Sequence, residues 1–288
     1  MVTDEGPVVQ SALLRSELIR LRKTSGLTQE QVAEDLEWSP SKLIRVEGGR
    51  SSITKVDLDA LLARYGVSSE NQRQRLHALN RGARTRGWWD AYRDDISEVY
   101  LRYVGYEAGA AHIRQFPGTV VPGLLQTPEY AEALTSNSVD AVKVAPVVKL
   151  RLQRQSELAQ RSAPPRQSYV IDEAVIRRHV GIQKDPAIMP NQLRHIADKA
   201  QNDELITIRV IPFKAGAHIG LSGPFTLLEF DGSMPDLLYL DEGRETISLI
   251  TDDTHVAQYA DNFRALLESA LAVDESVEFI QDAAESMI

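Results

Sequence analysis

Apolar residues recur at helical spacing in five short stretches near the start of the chain. In residues 9–24, leucines at steps of three and four positions form one stripe, which Gly26 follows. The apolar positions of the five stretches are Leu13, Leu14, Leu18 and Leu21; Val32, Ala33 and Leu36; Leu43 and Val46; Leu58, Leu61 and Leu62; and Leu76 and Leu79. This pattern predicts an all-α domain of five short helices over residues 9–83, preceded by a flexible tail at residues 1–8.

Capping residues predict where the second and third helices begin. Thr28 followed three positions later by Gln31 has the sequence of a capping box. Ser39 is a favourable N-cap residue, and Pro40 then occupies the first helical position, where proline is tolerated. Only two residues separate the two helices. Since so short a joint cannot bring them antiparallel, they must cross at a wide angle, which predicts a helix-turn-helix.

The remainder of the chain has the pattern of an α+β domain, predicted over residues 94–288. Helices are predicted over residues 94–108, 140–161, 253–272 and 274–287, with shorter ones beginning at Thr127 and Asp172, and strands over residues 168–172, 205–213, 224–230, 236–241 and 246–251. Turns at Asp231-Gly232 and Glu242-Gly243 separate the last three strands, so we expect an antiparallel meander. Residues 84–93 have the composition of a linker. Their arginines and tryptophans suit either an anchor onto the second domain or contact with nucleic acid.

Charge is distributed unevenly along a chain whose formal net charge is -9. Residues 1–86 hold 14 Lys and Arg against 11 Asp and Glu, whereas residues 87–288 hold 18 against 30. A locally positive first segment suits phosphate contact, so a DNA-binding role stays open for an acidic protein. The absence of cysteine excludes disulfides, thiolate chemistry and cysteine-ligated zinc. No apolar run approaches ~18 residues and no signal peptide is visible, so we expect a cytoplasmic protein that contacts no membrane.

Motifs of catalysis are missing from the sequence. The six histidines show no metal-binding spacing, and GLSGP at residues 220–224 falls one residue short of the G-x-S-x-G pattern. We therefore expect no enzymatic activity, no metal and no cofactor. Three classes of function remain open: a DNA-binding regulator whose second domain dimerises or senses, a partner-binding protein that uses the helix-turn-helix as a scaffold, and an enzyme with a DNA-targeting module.

The segment SGLTQEQVAEDLEWSPSKLIRVEGGR resembles the XRE family of lambda-repressor-like DNA-binding domains, over roughly residues 11–68. The resemblance rests on the Leu-Thr-Gln entry, on Ala33 at the contact between two helices, and on the closing Glu-Gly-Gly-Arg. The chain has Glu37 where such families favour glycine in the turn. A non-glycine residue in a left-handed conformation costs ~1 kcal/mol, which weakens the turn only slightly.

This resemblance implies that a recognition helix at about residues 39–47 enters the major groove, with its N-terminal residues at base edges. Arg45 then suits a bidentate contact with guanine, and Lys42 reaches a base or a phosphate. From the residues alone, Ser39 could serve only as a cap, and Lys42 and Arg45 could be ordinary solvated charges. The expected DNA-binding residues are Thr28, Gln29, Ser39, Pro40, Ser41, Lys42, Arg45 and Arg50.

Other residues of the motif are expected to support this readout. The resemblance places Gln29 against a backbone phosphate, although the residue could equally be a helix-favouring surface position. Arg50 is expected at another phosphate, and Pro40, which has no N–H, contributes shape only. Arg22 and Glu47 resemble an ion pair of the family that ties the first helix to the recognition helix. The role of that pair would be structural.

Four motifs in the second domain, VPGLLQTPEYAEAL, RLQRQ, IDEAVIRRHVG and VIPFKAGAH, resemble the C-terminal domain of a group of actinobacterial regulators. The resemblance runs from about residue 95 to the end and implies an antitoxin-like regulator with a small partner protein encoded nearby. Arg154 could form a buried structural pair with Asp172 or Glu173, or the arginines could line a pocket for an anion or carboxylate. The candidate effector or partner site comprises Arg151, Arg154, Gln155, Asp172, Glu173 and Arg177.

These observations together predict a sequence-specific transcription regulator. One helix-turn-helix covers few base pairs, so we expect a homodimer on a palindromic double-stranded operator. The acidic second domain is expected to supply the dimer contact, because the recognition face must stay free, and to sense an effector or partner protein. The alternative is an antitoxin-like, partner-binding protein in which DNA binding is secondary.

Overall fold

The computed structural model describes residues 6–137, 139–231, 234–241 and 247–287. The chain divides into two compact units. The first runs to Asp90, and the second comprises Ala91–Asp231 and Pro235–Ile288. The boundary falls inside the segment 84–93 that was predicted as a linker.

The first unit is helical throughout its regular structure. Its α-helices are α1 (Pro7–Thr24), α2 (Gln29–Asp35), α3 (Pro40–Glu47), α4 (Lys55–Arg64) and α5 (Glu70–Ala83). Helix α1 begins at Pro7, two residues before the apolar stripe, because proline is well accommodated in a first helical turn. The predicted tail at residues 1–8 is therefore too long by two residues, and its first five residues lie outside the described part of the chain.

Leucines from α1, α3, α4 and α5 build the core of the first unit. Leu18 of α1, Leu43 of α3, Leu58 and Leu61 of α4 and Leu76 of α5 are almost completely buried in one cluster. Helix α2 joins this cluster through a buried valine, and residues at positions 36 and 38 pack on its edge. The predicted apolar stripes thus form one continuous core, which fixes how α2 and α3 are held.

The turn between α2 and α3 depends on one residue in a left-handed conformation. Glu37 has φ of 54°, and it is the one non-glycine residue with positive φ in the described part of the chain. The amide of Trp38 donates to the carbonyl of Ala33 (2.8 Å), and that of Glu37 to Glu34 (3.0 Å), which closes the end of α2. Glu37, which stands where the family favours glycine, thus has the left-handed conformation that favours glycine. This conformation costs a non-glycine residue ~1 kcal/mol.

The second unit is built on a six-stranded mixed sheet with the order β3-β2-β1-β4-β5-β6. The strands are β1 (His112–Phe116), β2 (Arg166–Asp172), β3 (Ile206–Ile211), β4 (Phe225–Glu229), β5 (Leu237–Asp241) and β6 (Ile247–Ile250). Strands β1, β2 and β3 pair in parallel, whereas β4 pairs antiparallel with both β1 and β5, and β5 with β6. The expected meander is thus the antiparallel half of a mixed sheet. The predicted turns at Gly232 and at Glu242-Gly243 lie outside the described residues.

Helices cover both faces of this sheet. They are α6 (Glu98–Glu107), α7 (Pro128–Thr135), α8 (Ala141–Ala159), α9 (Glu173–Arg177), α10 (Ile188–Asn202), α11 (Asp253–Ser269) and α12 (Val273–Ser286). Tyr169 and Ile171 of β2 share a core with α10 and α12. Val170, between them, packs with Phe263 and Leu266 of α11 in a second core. Neighbouring strand residues point to opposite faces, so one strand feeds both layers.

Among the described residues of the second unit, strand β1 and helix α10 were not predicted from the sequence. None of the helices in the described ranges is both long enough and apolar enough to span a membrane.

Candidate nucleic-acid interface

Helix α3 separates a buried apolar side from an exposed side. Leu43 and Val46 are buried, whereas Ser41, Ile44 and Arg45 are exposed. Ser39 and Pro40, at the start of the helix, are exposed as well. The side chains that the resemblance assigns to base edges therefore lie at the surface of the unit, with the exception of Lys42.

Hydrogen bonds link the exposed polar groups of α3 along the helix. The hydroxyls of Ser39 and Ser41 are 3.2 Å apart, and Nη1 of Arg45 donates to Oγ of Ser41 (3.2 Å). Ser39 takes the N-cap position with extended backbone, but its hydroxyl makes no capping bond. Ser39 thus occupies the predicted N-cap position, although its side chain does not supply the capping bond. Its hydroxyl faces outward with that of Ser41, where both are available to a ligand.

Lys42 is directed away from the exposed face and towards the start of α4. Its Nζ donates to Oδ1 of Asp57 (2.7 Å) and lies 3.9 Å from the centroid of the Trp38 ring. Partial burial opposes ionisation of Asp57, but hydrogen bonds from Lys42 and Thr54 outweigh it and hold the pKa of Asp57 below its usual value. Lys42 was expected to reach a base or phosphate. In the described structure its ammonium instead ties α3 to the first turn of α4.

A buried carboxylate joins α1, α2 and α3. Glu47 accepts two bonds from Arg22, at 2.7 Å from Nε and 2.9 Å from Nη2, and one from Nε2 of Gln29 (2.7 Å). The third guanidinium nitrogen of Arg22 donates to the carbonyl of Leu27 (2.9 Å). The hydrogen bonds to Glu47 raise the pKa of Arg22. The predicted ion pair is thus present, and it includes Gln29, whose amide was expected at a phosphate.

The residues at either end of the motif are accessible. Thr28 and Gln31 form a reciprocal capping box at the start of α2, with bonds of 3.2 Å and 2.9 Å. Arg50 is exposed after α3, and its amide donates to the carbonyl of Arg45 (2.8 Å). Gly49 between them has φ of 70°, a left-handed conformation that favours glycine. The closing Gly-Gly-Arg therefore gives α3 a compact end that exposes Arg50.

In the second unit, the buried arginine Arg154 does not pair with either predicted acid. Its Nε and Nη2 donate to the two carboxylate oxygens of Glu107, at 2.8 Å and 2.6 Å, and Nη1 donates to the hydroxyl of Tyr100 (2.5 Å). Tyr103 also donates to Glu107 (2.8 Å). The predicted pairing with position 172 or 173 is wrong, because α8 packs its Arg154 towards α6.

Asp172 and Glu173 instead hold the loop that follows β3. Oδ1 of Asp172 caps α9 at the amide of Ala174 (2.7 Å), and Oδ2 lies 3.0 Å from Nε2 of His218. Glu173 accepts the amide of Phe213 (2.7 Å) and Nε of Arg177 (3.2 Å). The His218 side chain is only 4% exposed, so this contact is buried. The six candidate residues thus separate into two groups that no described contact joins.

Arg151 and Gln155 fasten the segment before α7. Nη1 of Arg151 donates to Oε1 of Gln126 (3.2 Å) and to Oγ1 of Thr135 (3.0 Å), which are both neutral acceptors. Gln155 donates to the carbonyls of Gly123 (3.0 Å) and Gln126 (2.9 Å). Burial lowers the pKa of Arg151, and within the described ranges no carboxylate pairs with it. Of the six candidates, Arg151 is the one whose charge is left without an opposite charge in the described structure.

Two known families match the chain, one in each unit. Residues 100–282 match the family described as a domain of unknown function, DUF5753. The chain belongs to the DUF5753 family. Residues 13–76 match a family described as a helix-turn-helix domain, which confirms that prediction for the N-terminal region. No curated protein and no solved structure matches the chain.

Several residues that organise the DUF5753 domain and the helix-turn-helix domain were missed at the level of sequence. Neither Glu107 nor Asp57 is part of a recognisable motif. The partner of Glu107 is Arg154, far along the chain, and the partner of Asp57 is Lys42 in the preceding helix. Gln192 is completely buried, and it accepts the amide of Thr127 (2.7 Å) and donates to the carbonyl of Leu125 (2.7 Å). Gln192 carried no clear signal, because it follows Asn191 in a stretch that mixes polar and apolar residues. Its bonds make the VPGLLQTP motif a fixed structural segment.

Proposed function

We propose that this protein is a sequence-specific DNA-binding transcription regulator of the XRE type, which reads the major groove with α3. The proposal rests on one observation, namely that some side chains of that helix bond its neighbours whereas others are exposed. Glu47 and Lys42 fasten α3 to its neighbours, whereas Ser39, Ser41 and Arg45 point outward. A helix held rigidly and presenting donors on its outer face is what direct readout of bases needs.

Each exposed group has a distinct role in this proposal. Arg45 has donors beyond its bond to Ser41, and a guanidinium fits the N7 and O6 acceptors of guanine. Ser39 and Ser41 donate to a base or a phosphate, and Arg50 binds phosphate next to the helix. Lys42 positions α3 through Asp57 rather than contacting bases. Gln29 keeps a second amide hydrogen for a phosphate, because one is bonded to Glu47.

The DUF5753 domain is proposed to dimerise the protein and to bind an effector or a small partner protein. A dimer would place two copies of α3 on half-sites ~10–10.5 base pairs apart, or a multiple of that spacing. The Arg151 region is the better supported part of the predicted effector site, since its guanidinium bonds only neutral oxygens. The proposal includes a cytoplasmic location, no enzymatic activity and no metal or cofactor.

An antitoxin-like, partner-binding function remains the second candidate. The guanidinium of Arg151 has no opposite charge beside it in the described structure. A carboxylate of a partner protein could neutralise this charge, and this favours the partner-binding function. In this case the helix-turn-helix would contribute affinity for DNA without setting the main role.

Selection from a randomised double-stranded DNA pool tests the proposal directly. The full-length protein is expected to enrich one near-palindromic site, and footprinting of its own promoter should protect the same sequence. For any substitution of Arg45, an Arg20→Ala variant is the charge-matched control, because Arg20 is exposed on α1 and pairs with Glu17 on the same helix. Failure of the wild-type protein to enrich any site would contradict the proposed function.

A further inference from the structure

An apolar residue occupies the exposed side of α3. Ile44 is 46% exposed and stands one helical turn after Ser41 and next to Arg45, whereas the other branched apolar residues of the helix, Leu43 and Val46, are buried. Ile44 is not part of the described apolar core of the first unit. Its side chain therefore contributes little to the core of the domain, in contrast to its neighbours.

A single exposed isoleucine is common on protein surfaces, so exposure alone does not identify a site. The position of Ile44 does carry information, because Ile44 lies beside Ser41 on the face proposed to meet the bases, with Arg45 on the other side of Ser41. An approach that brings Ser41 and Arg45 to base edges therefore brings the Ile44 side chain into the major groove as well. It has no hydrogen-bonding group, so it cannot read base donors or acceptors.

The major groove offers one strongly apolar group to such a side chain, the C5 methyl of thymine. Contact between them would remove apolar surface of both from water. We infer that Ile44 contacts a thymine methyl on a base pair flanking the guanine read by Arg45. The half-site then includes an essential thymine beside a guanine–cytosine pair. This inference rests on the proposed function and assigns part of its sequence specificity to Ile44.

Replacement of thymine by deoxyuridine isolates this contact. It removes the 5-methyl group and leaves base pairing and every hydrogen-bonding edge intact. The probe is the double-stranded site that the full-length protein selects from a randomised pool, with each thymine replaced in turn by deoxyuridine. For each protein, the ratio of the two dissociation constants comes from one sample, so partial unfolding of a variant does not affect it.

The wild-type protein is expected to bind about fourfold more weakly when the thymine opposite Ile44 loses its methyl, as for one buried methyl group. Ile44→Ala should bind the thymine and deoxyuridine forms of that position equally. Val142→Ala is the matched control, because Val142 is an even more exposed β-branched residue outside the first unit. That variant should retain the wild-type ratio.

The outcomes separate this inference from the function on which it rests. A selected site without thymine beside the guanine, or an Ile44→Ala variant that keeps the wild-type deoxyuridine effect at every position, overturns the role of Ile44 alone. A pool from which no site is enriched overturns the DNA-binding function and this inference with it.

Discussion

At the scale of single residues, Glu47 holds α3 against α1 and α2 in the helix-turn-helix domain. Its side chain is 4% exposed, and it binds both Arg22 and Gln29. A buried carboxylate loses its hydration, and the three hydrogen bonds it accepts compensate for that loss. Removal of either partner of such a pair leaves the other with an unmet charge.

We expect Glu47→Ala to lower the free energy of unfolding of the first unit by about 3 kcal/mol, because Arg22 is left partly buried and unpaired. Urea unfolding followed by tryptophan fluorescence measures this unit selectively, since Trp38, Trp88 and Trp89 all lie within it. The control is Glu17→Ala, which removes a carboxylate paired with the exposed Arg20 and should cost less than ~1 kcal/mol. Equal effects of the two substitutions would show that Glu47 is not the anchor of α3.

Lys42 provides a second prediction at this scale. Lys42→Ala should weaken the attachment of α3 to α4, because the bond to Asp57 and the contact with Trp38 are lost together. The preferred DNA sequence should stay unchanged, as expected of a residue that positions the helix. Repeated selection from the randomised pool with Lys42→Ala measures this preference. A new preference at one base position would instead place Lys42 at that base.

At the scale of elements, sequence patterns predicted those parts whose signal is local. The capping box at Thr28, the left-handed position at Glu37 and the apolar stripes of α1 to α5 can all be read within a few residues. Strands β2 to β6 were also predicted, because they are rich in β-branched and alternating apolar residues.

Strand β1 and helix α10 were missed because their stability depends on distant partners. Three of the five residues of β1 are polar, and His112 and Arg114 pair with Glu229 across the sheet at 3.1 Å and 2.9 Å. Helix α10 contains Pro190 in its first turn, which conceals an apolar face that packs on α12. The parallel order of β1 to β3 and the partner of Arg154 likewise depend on residues 39 to 54 positions apart.

The link between α8 and α6 gives a prediction for the DUF5753 domain. Arg154→Ala should destabilise this domain by about 3–5 kcal/mol, because Glu107 is left buried without its positive partner. Differential scanning calorimetry of the full chain measures the transition of the domain. Lys184→Ala is the control, since Lys184 forms an exposed pair with Glu132 and should shift stability by less than ~1 kcal/mol. A domain that tolerates Arg154→Ala as well as the control would rule out a structural role for the pair.

At the scale of the whole molecule, the charge of the chain is concentrated in its acidic second part. Residues 87–288 hold 30 acidic against 18 basic side chains, and the first 86 residues hold 11 against 14. The repulsion between that acidic part and DNA phosphates is screened over ~8 Å at physiological salt, so it lowers the affinity for DNA only modestly. A basic partner that binds the second unit would reduce this repulsion, which supplies a physical route to regulation.

We expect the proposed small partner protein to bind the full chain with different affinity in the presence and absence of operator DNA. Thermodynamic linkage requires this result if the partner changes operator affinity. Isothermal titration calorimetry of the partner into the free protein and into its DNA complex measures both affinities. Equal affinities would remove the regulatory role of the partner and leave dimerisation as the proposed task of the domain.

The most direct test of the account is the effect of Arg45→Ala on binding to the selected DNA site. Fluorescence anisotropy at fixed salt should show a loss of ~1–3 kcal/mol in binding free energy, with relaxed preference at a single base pair, because the bidentate contact with guanine is lost. Arg20→Ala, which removes an exposed arginine from α1, should bind as tightly as the wild type. An unchanged binding curve for Arg45→Ala would contradict the assignment of α3 as the recognition helix.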